Sequence, residues 1–570
     1  MRMVFWLIGL ALHFCLNAQV PVKPVYPKGY FRNPLGVPMD LSGNFGELRS
    51  NHYHMGLDLK TLKRENLPVY AAAAGYIAKV KIEPGGFGRA IYINHPNGFT
   101  TLYAHLNDFA PTLEAHIKRE QYRLEDWKIF IDIPPDLFPV QKGELIAHSG
   151  NTGGSQAPHL HFEIRQTEND VNLNPLLFGF PLNDNTLPQI LRLAIFDRRK
   201  STYEQTPRII SLKTAGTGKY TTTVPVTIVG SPVISLGITA YDTHTGSSNL
   251  NGVYESMLYM DQQPVTSFRM NEISYNDTRY MNAHIDYKTK SGGGTYIQHL
   301  SDLPGYINSI YTRYIGDGVL DISDGEPHEI RIDVKDAYGN TSVLSTKVQY
   351  RPPAPVSHST STNKVFYPLM LDGFESDECE FFIGERCLYD SVHIRYGKSV
   401  SSNPQVISAV HAIGSAHIPL QESFLVRIRP NQSLSPEQQQ KTVVQWYSGT
   451  KKDVQKSVWQ NGWASAKFHD FGYYQLLVDE IPPVIIPIGF TDGSNLGKAT
   501  RIAFTITDNL TKFKNVRTEL DGKWLRFTND KGKTFSYRFD EKCLAGQHEL
   551  KISAEDEAGN RTVKSFRFTR

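Results

Sequence analysis

Short segments in which apolar and polar residues alternate recur along this chain, and a period of two is typical of β-strands. Residues 69–82 contain two such segments, and residues 89–104 contain two more, joined by a Pro-Asn-Gly turn. Residues 143–148 and 159–165 continue the pattern. We therefore predict that residues 30–180 form an all-β unit built of short antiparallel strands.

A more charged segment, residues 111–138, interrupts the β pattern of this unit. Its sequence is compatible with some helix before the two prolines at 134 and 135. Two interpretations are open: the segment is a surface excursion, or it is a lid over a cleft.

Beyond about residue 185 the chain continues in longer β-rich segments, and one of them is repeated. Residues 328–341 match residues 548–561, because both alternate apolar and polar positions and then end in a Gly-Asn turn. Proline-rich stretches after Arg351 and Ile481 indicate module boundaries. We predict an immunoglobulin-like module at 190–350, a β-rich module at 364–480 and a second immunoglobulin-like module at 484–570.

Length and composition agree with several β-rich domains. A chain of 570 residues is too long for one hydrophobic core. Its 44 Gly, 33 Pro, 29 Tyr and 29 Phe suit many short strands joined by turns. The net charge is only +3 and the charges are mixed along the chain, so nucleic acid is not an expected partner.

The first residues predict export. Residues 1–18 contain a charged start, an apolar run and a small residue at a cleavage position, as in a signal peptide. An N-terminal membrane anchor is the alternative. No later apolar run approaches the roughly 20 residues needed to span a bilayer. We expect a protein of the periplasm or cell surface, or a secreted one.

Three cysteines follow the predicted signal peptide: Cys379, Cys387 and Cys543. In an oxidising compartment Cys379 and Cys387 could close a small loop as a disulfide, which would leave Cys543 unpaired. Because no cysteine lies in the first third of the mature chain, neither a thiolate zinc site nor a cysteine nucleophile is expected there.

Two short motifs carry candidate chemistry. His54 and Asp58 belong to the sequence HMGLD, and His159 and His161 belong to PHLHFE. Residues two apart on a strand project to the same face. Two imidazoles and one carboxylate with an open fourth position are typical of catalytic zinc. His105, at the end of a predicted hairpin strand, can be placed nearby.

In this order, the motifs resemble those of the LytM/lysostaphin-type zinc metallopeptidases over about residues 45–165. The resemblance implies a compact antiparallel β domain of the duplicated hybrid motif type, with a groove across its sheet. It also implies hydrolysis of peptide bonds in peptidoglycan stems or cross-links through a zinc-activated water. The segment at 111–138 is longer than the usual connection in this family.

The resemblance also implies a role for each motif residue. Zn²⁺ is expected to be bound by His54, Asp58 and His161. His105 and His159 are expected to be the paired catalytic histidines, and the sequence does not decide which takes which role.

Other polar residues near the motifs receive less weight. His52 lies two residues before His54, but the spacing to Asp58 favours His54 as the ligand. His95 lies in a turn and is expected to be solvated. Glu163 shares a strand face with the two histidines before it, and a solvated strand end is the favoured interpretation, so no role is assigned to it.

Three functions are compatible with these observations. The favoured one is an exported zinc metalloendopeptidase acting on peptidoglycan peptides. A non-catalytic LytM-like activator of a cell-wall amidase is disfavoured by the complete ligand set, and an envelope adhesion or scaffold protein would make the β modules dominant. For the favoured function, we expect a fragment of residues 19–185 to retain activity.

Overall fold

The computed structural model describes residues 26–307, 310–353, 364–510 and 513–570. The predicted signal peptide, residues 1–18, lies outside these ranges. Strands account for most of the secondary structure, which confirms the all-β prediction. Within the described residues, no helix is both long and apolar enough to cross a membrane.

Seven strands of the first unit form the antiparallel sheet that positions the candidate site. Across the sheet they are Leu41–Gly43, Leu57–Lys60, His159–Gln166, Phe99–Ala104, Arg89–Asn94, Gly75–Ile82 and Ile129–Asp132. A second sheet contains Pro68–Tyr70, Leu145–Ser149 and Leu106–Phe109. Short strands at Leu48–Arg49, His52–Tyr53, Pro139–Val140 and Asn172–Leu173 and a 3-10 helix at Pro175–Phe178 complete the unit. Its core includes Val69, Tyr103 and Phe162, all fully buried.

The segment at 111–138 contains the α-helix Pro111–Leu124, which begins with a proline at its first position and ends at a left-handed Glu125. The helix contacts the module at 484–570. Lys118 Nζ lies 2.7 Å from Asp540 Oδ2, and Arg526 Nε donates to Gln121 Oε1 at 2.6 Å. The cleft that is lined by His54, Asp58 and His161 has no lining residue from this segment. Both the contacts and the position of the cleft favour the surface excursion over the lid.

The remaining strands form further β-rich modules. The second contains Gln189–Asp197, Arg208–Gly216, Lys219–Thr222, Thr227–Val229, Val233–Tyr241, Glu255–Met260, Gln263–Arg269, Glu272–Ile273, Gln298–His299, Tyr311–Arg313, Leu320–Asp321, His328–Lys335 and Thr341–Tyr350. Helical turns lie at Thr202–Glu204, Thr278–Tyr280, Met281–His284 and Tyr287–Ser291. All strands of this module except Glu272–Ile273 belong to one twelve-stranded sheet.

The third module has two five-stranded sheets and a small two-stranded one. Its elements are Val365–Phe366, Asp372–Glu375, Cys379–Ile383, Val392–His393, Tyr396–Ser399, Val410–Ile413, Pro419–Ile428, helix Pro436–Gln440, Thr442–Ser448, Lys451–Lys456, Val458–Gln460, Trp463–Asp470 and Gly472–Val478. The fourth has sheets of three and five strands: Val484–Ile488, Ser494–Asn495, Arg501–Thr507, Phe513–Leu520, Lys523–Trp524, Thr534–Arg538, Gln547–Asp556 and Arg561–Thr569. The immunoglobulin-like assignment of the second and fourth modules stays a prediction.

The sequence repeat has a structural counterpart. In the second module Asn340 donates through its backbone N–H and its amide to Asp336, and in the fourth Asn560 does the same to Asp556. Each asparagine closes the turn between two paired strands. The repeated Gly-Asn signal therefore marks equivalent hairpins, as expected.

Cys379 and Cys387 are both buried free thiols, so the disulfide is not formed in this structure.

The first unit packs against the second module. Phe45, Tyr53 and Met55 are buried in a hydrophobic core that continues through the second and third modules.

Candidate metal centre

Strand register brings the two sequence motifs together. Asp58 on Leu57–Lys60 is paired directly with His161 on His159–Gln166, and His161 is paired on its other side with Ala104. His105 follows Ala104 and so lies beside the same point of the sheet. Three segments that are distant in sequence therefore converge across adjacent strands.

Three donor atoms form a tight triangle. His54 Nε2 lies 3.0 Å from Asp58 Oδ1 and 3.1 Å from His161 Nδ1, and the latter two atoms are 2.9 Å apart. All three side chains are buried. Ligand atoms around a tetrahedral zinc, with bonds of about 2.0–2.2 Å, lie roughly 3.3 Å apart. The triangle therefore has the size and the donor chemistry of a zinc site.

The outer nitrogen of His54 is held by the backbone. Nδ1 lies 2.7 Å from the carbonyl oxygen of Asn44, so it donates its proton there and leaves Nε2 as the acceptor facing Asp58. The side chain of Asn44 is itself fixed by Gly252 of the second module, through hydrogen bonds of 2.8 and 2.9 Å. A neighbouring module thus helps to orient this imidazole.

The outer nitrogen of His161 is held by Glu163. Nε2 lies 2.8 Å from Glu163 Oε1, while Glu163 Oε2 accepts hydrogen bonds from Arg165 and Asn172 at 2.7 Å each. Glu163 is fully buried, so the expected solvated strand end is wrong. A carboxylate that accepts the outer N–H of a metal-binding histidine fixes its tautomer and orientation. Glu163 is therefore a positioning residue. The alternation of the strand, which places Glu163 on the same face as His161, is the sequence feature from which this role could have been predicted.

Asp58 has its own partner. Its Oδ2 accepts a hydrogen bond from Arg49 Nη2 at 2.6 Å, which leaves Oδ1 directed at the two histidines. Burial raises the pKa of Asp58, but His54, His159 and His161 outweigh burial and hold that pKa well below its usual range. The carboxylate is therefore ionised, as a metal ligand must be.

The two histidines of the triangle have opposite pKa shifts. Burial lowers the pKa of His54 to about 4 despite the neighbouring Asp58. Burial also lowers the pKa of His161, but Asp58 and Glu163 outweigh it and raise the pKa to about 9. Burial raises the pKa of Glu163, and Arg165 and His161 reverse this and lower it to about 2.

His105 and His159 lie side by side next to the triangle, with ring centroids 4.7 Å apart. His105 Nδ1 lies 3.0 Å from the carbonyl of Thr152, and His159 Nδ1 lies 2.8 Å from that of Ala157. His159 Nε2 is 3.4 Å from Asp58 Oδ1. Burial and the neighbouring histidines lower the pKa of His105 to about 3. His105 also has a left-handed φ of 61°, a backbone conformation that is uncommon outside glycine and is enriched at functional sites.

Gly56, between His54 and Asp58, leaves room for the neighbouring strand. A Cβ atom there would lie 2.4 Å from the carbonyl oxygen of Phe162 and 2.8 Å from Glu163 Cγ. Because no side chain fits between these strands, the glycine is part of the site's geometry.

The three donor residues line a cleft with a volume of about 1550 Å³. His105 and His159 line it together with the three donors, and Tyr275 of the second module contributes to its wall. His52 also lines the cleft but is exposed and lies outside the donor triangle. His95 is buried between Ala74 and Thr101, so the expected solvation is wrong.

Comparison with known families places this site in context. Residues 52–122 and 138–175 match peptidase family M23, and residues 365–479 match the Zu5-like domain. The interval between the two M23 matches falls within the 111–138 segment. The chain therefore contains a LytM-like peptidase family M23 domain, as the sequence motifs predict.

Individual relatives match the same part of the chain. An uncharacterized metalloprotease of Haemophilus influenzae is 32% identical over 160 residues, 27% of this chain and 28% of the relative. The DD-carboxypeptidase/endopeptidase Mpg of Neisseria meningitidis serogroup B is 32% identical over 169 residues, 29% of this chain and 33% of the relative. The chain thus spans about a third of the length of these relatives. The catalytic domain of lysostaphin from Staphylococcus simulans aligns at 23% identity over 24% of this chain and 87% of that one, with a TM-score of 0.17.

Proposed function

We propose that this protein is an exported zinc metalloendopeptidase that hydrolyses peptide bonds in the stems or cross-links of peptidoglycan. The observation that carries the proposal is the buried triangle of His54 Nε2, Asp58 Oδ1 and His161 Nδ1 at an open cleft. Two imidazoles and a carboxylate with space for a fourth ligand are typical of a catalytic zinc centre.

The residues present fit this metal. Hydrogen bonds to Asn44 and Glu163 engage the outer nitrogens of the two imidazoles, and a hydrogen bond from Arg49 engages the outer oxygen of the carboxylate. Each side chain therefore keeps one donor atom for the metal, and these three atoms lie within 4.8 Å of one another. Zinc in such a site supplies Lewis-acid polarisation of a carbonyl and lowers the pKa of water to about 7.

His105 and His159 supply the proton transfers. Since each donates its Nδ1 proton to a backbone carbonyl, each has an unprotonated Nε2 in its neutral form. Such a nitrogen accepts a proton from the attacking water and returns it to the leaving amine. The partner ring, when protonated, donates a hydrogen bond to the developing oxyanion. We propose these roles for the pair without dividing them between its members.

The substrate class rests on the family and on the cleft. A cleft of this size that is open to solvent has room for a peptide chain, and a relative of this domain is named a DD-carboxypeptidase/endopeptidase. An exported location follows from the predicted signal peptide and from a substrate that lies outside the cytoplasmic membrane.

Digestion of purified peptidoglycan by zinc-loaded protein, followed by mass spectrometry of the released peptides, tests the proposal. We expect cleavage by the wild type, loss of zinc and cleavage in His161→Ala, and loss of cleavage with zinc retained in His159→Ala. His417→Ala, an exposed histidine of the third module, is the matched control and should cleave normally. A protein that binds zinc but leaves peptidoglycan and free peptides intact would refute the enzyme, and stimulation of an amidase by that protein would support the activator alternative.

A further inference from the structure

A second group of possible metal ligands lies outside the peptidase site. Asp184, Asp242 and Asp336 are 7%, 6% and 3% exposed, and one carboxylate oxygen of each lies within 4.8 Å of the others. They come from three separate segments: the connection after the peptidase unit, the end of the strand Val233–Tyr241 and the hairpin after His328–Lys335. The fold therefore concentrates negative charge where the first and second modules meet.

This charge is not balanced within the cluster. Oδ1 of Asp242 is buried and has no hydrogen-bond partner. Burial and then the charges of Asp336 and Asp184 raise the pKa of Asp242 to about 7. Burying a carboxylate without a partner is costly, so a buried group of this kind normally has a counter-ion.

Asn251 provides a separate observation that points to a ligand. It is 4% exposed, and its side-chain oxygen is buried without a hydrogen-bond partner. An antiparallel bridge pairs Asn251 directly with Asp242, and residues paired in this way present their side chains on the same face. Asn251 therefore lies on the same face as Asp242. Its amide nitrogen is 3.3 Å from His244 Nδ1, and its side-chain oxygen is left for a ligand.

The fourth module is an internal comparison. Asn560 donates to the carbonyl of Asp479 there, as Asn340 donates to the carbonyl of Asp184 in the second module. The carboxylate of Asp479 accepts a hydrogen bond from Asn509 at 2.9 Å, and Asp184 Oδ1 accepts from the backbone and hydroxyl of Thr245 at 3.0 and 3.2 Å. Among the described residues, three carboxylates converge closely enough to share a cation in the second module and not in the fourth.

We propose that Asp184, Asp242 and Asp336, with the side-chain oxygen of Asn251, form a calcium site. All four donors are oxygens, the ligand type preferred by hard cations, and Ca²⁺ accepts irregular sets of six to eight ligands that are completed by carbonyls or water. A divalent cation would neutralise the repulsion between the carboxylates.

The site lies next to the support of a zinc ligand. Asn251 precedes Gly252, and Gly252 exchanges two hydrogen bonds with the Asn44 side chain. The backbone of Asn44 in turn holds His54. Calcium bound at the aspartates would fix the loop that positions Asn44, and this connects the cation to the peptidase site through three consecutive contacts.

Isothermal calorimetry with CaCl₂ on zinc-loaded full-length protein tests the site. We expect one saturable site with a Kd on the order of 10⁻⁴ to 10⁻³ M, typical of extracellular calcium modules. Saturating calcium should raise the Tm by about 2–4 °C. Asp242→Asn should lose both responses and keep the calcium-free Tm of the wild type or exceed it, because the substitution removes a repelling charge. Asp479→Asn in the fourth module is the matched control and should respond as the wild type does.

The same titration on His161→Ala separates this site from the peptidase centre, because calcium binding should persist when the zinc site is lost. Absence of saturable binding up to about 10 mM calcium, ten times the weakest expected Kd, would overturn the proposal. So would binding that is unchanged in Asp242→Asn.

Discussion

The hydroxyl of Tyr275 donates to Glu163 Oε1 at 2.6 Å, the same oxygen that lies 2.8 Å from His161 Nε2. Tyr275 belongs to the second module, whereas the other two residues belong to the peptidase unit. The orientation of a metal-ligand candidate therefore depends on a side chain about a hundred residues further along the chain. The second module therefore contributes a side chain to the site and is more than a domain that comes after it in the sequence.

Replacing Glu163 by glutamine should weaken zinc binding. Glu163→Gln keeps the size of the side chain but removes the charge that fixes the His161 ring, and loss of such a partner typically costs 10–100-fold in metal affinity. Competition with a fluorescent zinc chelator measures this change. Tyr275→Phe, which removes one hydrogen bond to the same oxygen, should have a smaller effect in the same direction. Equal affinity in Glu163→Gln and the wild type would contradict the role of Glu163.

Zinc affinity should rise with pH. The pKa of His161 in the metal-free protein is raised to about 9, so its ring is protonated at neutral pH and must lose that proton to bind metal. The pKa of His54 is about 4, so that ring is already neutral. We expect about a tenfold gain in apparent affinity per pH unit between about pH 5.5 and 7.5, with about one proton released per zinc. Calorimetry in buffers of different ionisation enthalpy measures both.

The same shift affects the stability of the metal-free protein. The pKa of His161 is higher in the folded state than its ordinary value of 6.5. Its protonation therefore stabilises the metal-free fold fully below pH 6.5, and this contribution is lost as the pH rises through about 9. Zinc should remove this dependence. A metal-free stability profile that is flat between these values would show that Asp58 and Glu163 do not favour the protonated ring.

Substituting Gly56 should disrupt the site from the backbone. In Gly56→Ala the new Cβ would lie 2.4 Å from the carbonyl oxygen of Phe162, so the two strands must separate. Overpacking of this kind costs about 1–3 kcal/mol. We expect a lower Tm and weaker zinc binding. Gly36→Ala, whose Cβ would be at an ordinary 3.4 Å from Tyr70, is the control and should change neither.

The isolated peptidase unit should bind zinc poorly. The sequence suggested that residues 19–185 would retain activity, but Tyr53 and Met55, on either side of His54, are buried in the core shared with the second module. Removing that module exposes both side chains and deletes Gly252 and Tyr275. We now expect the fragment to lose most of its zinc affinity, while residues 19–350 retain more. Full activity in the shorter fragment would contradict this dependence.

Lys531 of the fourth module should affect catalysis without affecting zinc. Its Nζ donates to the carbonyl of Ser155 at 2.6 Å, and Ser155 Oγ lies 3.2 Å from His159 Nδ1. Lys531→Ala should loosen the loop that carries these contacts and lower kcat several-fold at unchanged zinc content. The exposed Lys533 lies in the same hairpin, and Lys533→Ala should behave as the wild type does. A parallel loss of zinc would indicate a wider structural effect.

The sequence predicted those parts of the site that follow from local pattern. Alternation placed His159 and His161 on one strand face, and the structure brings His54, Asp58 and His161 to one point. Residue type alone did not predict whether a polar side chain is buried or exposed. His95 and Glu163 are polar residues that sequence reasoning left in solvent, yet both are buried, because neighbouring segments supply their hydrogen-bond partners.

Contacts between modules could not be predicted from the local sequence pattern. Tyr275 and Gly252 have no motif that connects them with the peptidase unit, since their roles depend on how two folded modules pack. The same applies to the 111–138 segment, whose helix is fixed against Arg526 and Asp540 of the last module. Local periodicity indicates a strand or a helix, but it does not specify the partner against which an exposed face will pack.

The contact between Lys531 and Ser155 has a consequence for the order in which the molecule matures. The rim of the cleft includes a loop held by Lys531, which is synthesised 376 positions after Ser155. A nascent or truncated chain would have the metal ligands but not the finished rim. Full hydrolytic capacity would then arise only once the fourth module has folded against this loop, which delays a potentially damaging activity during synthesis.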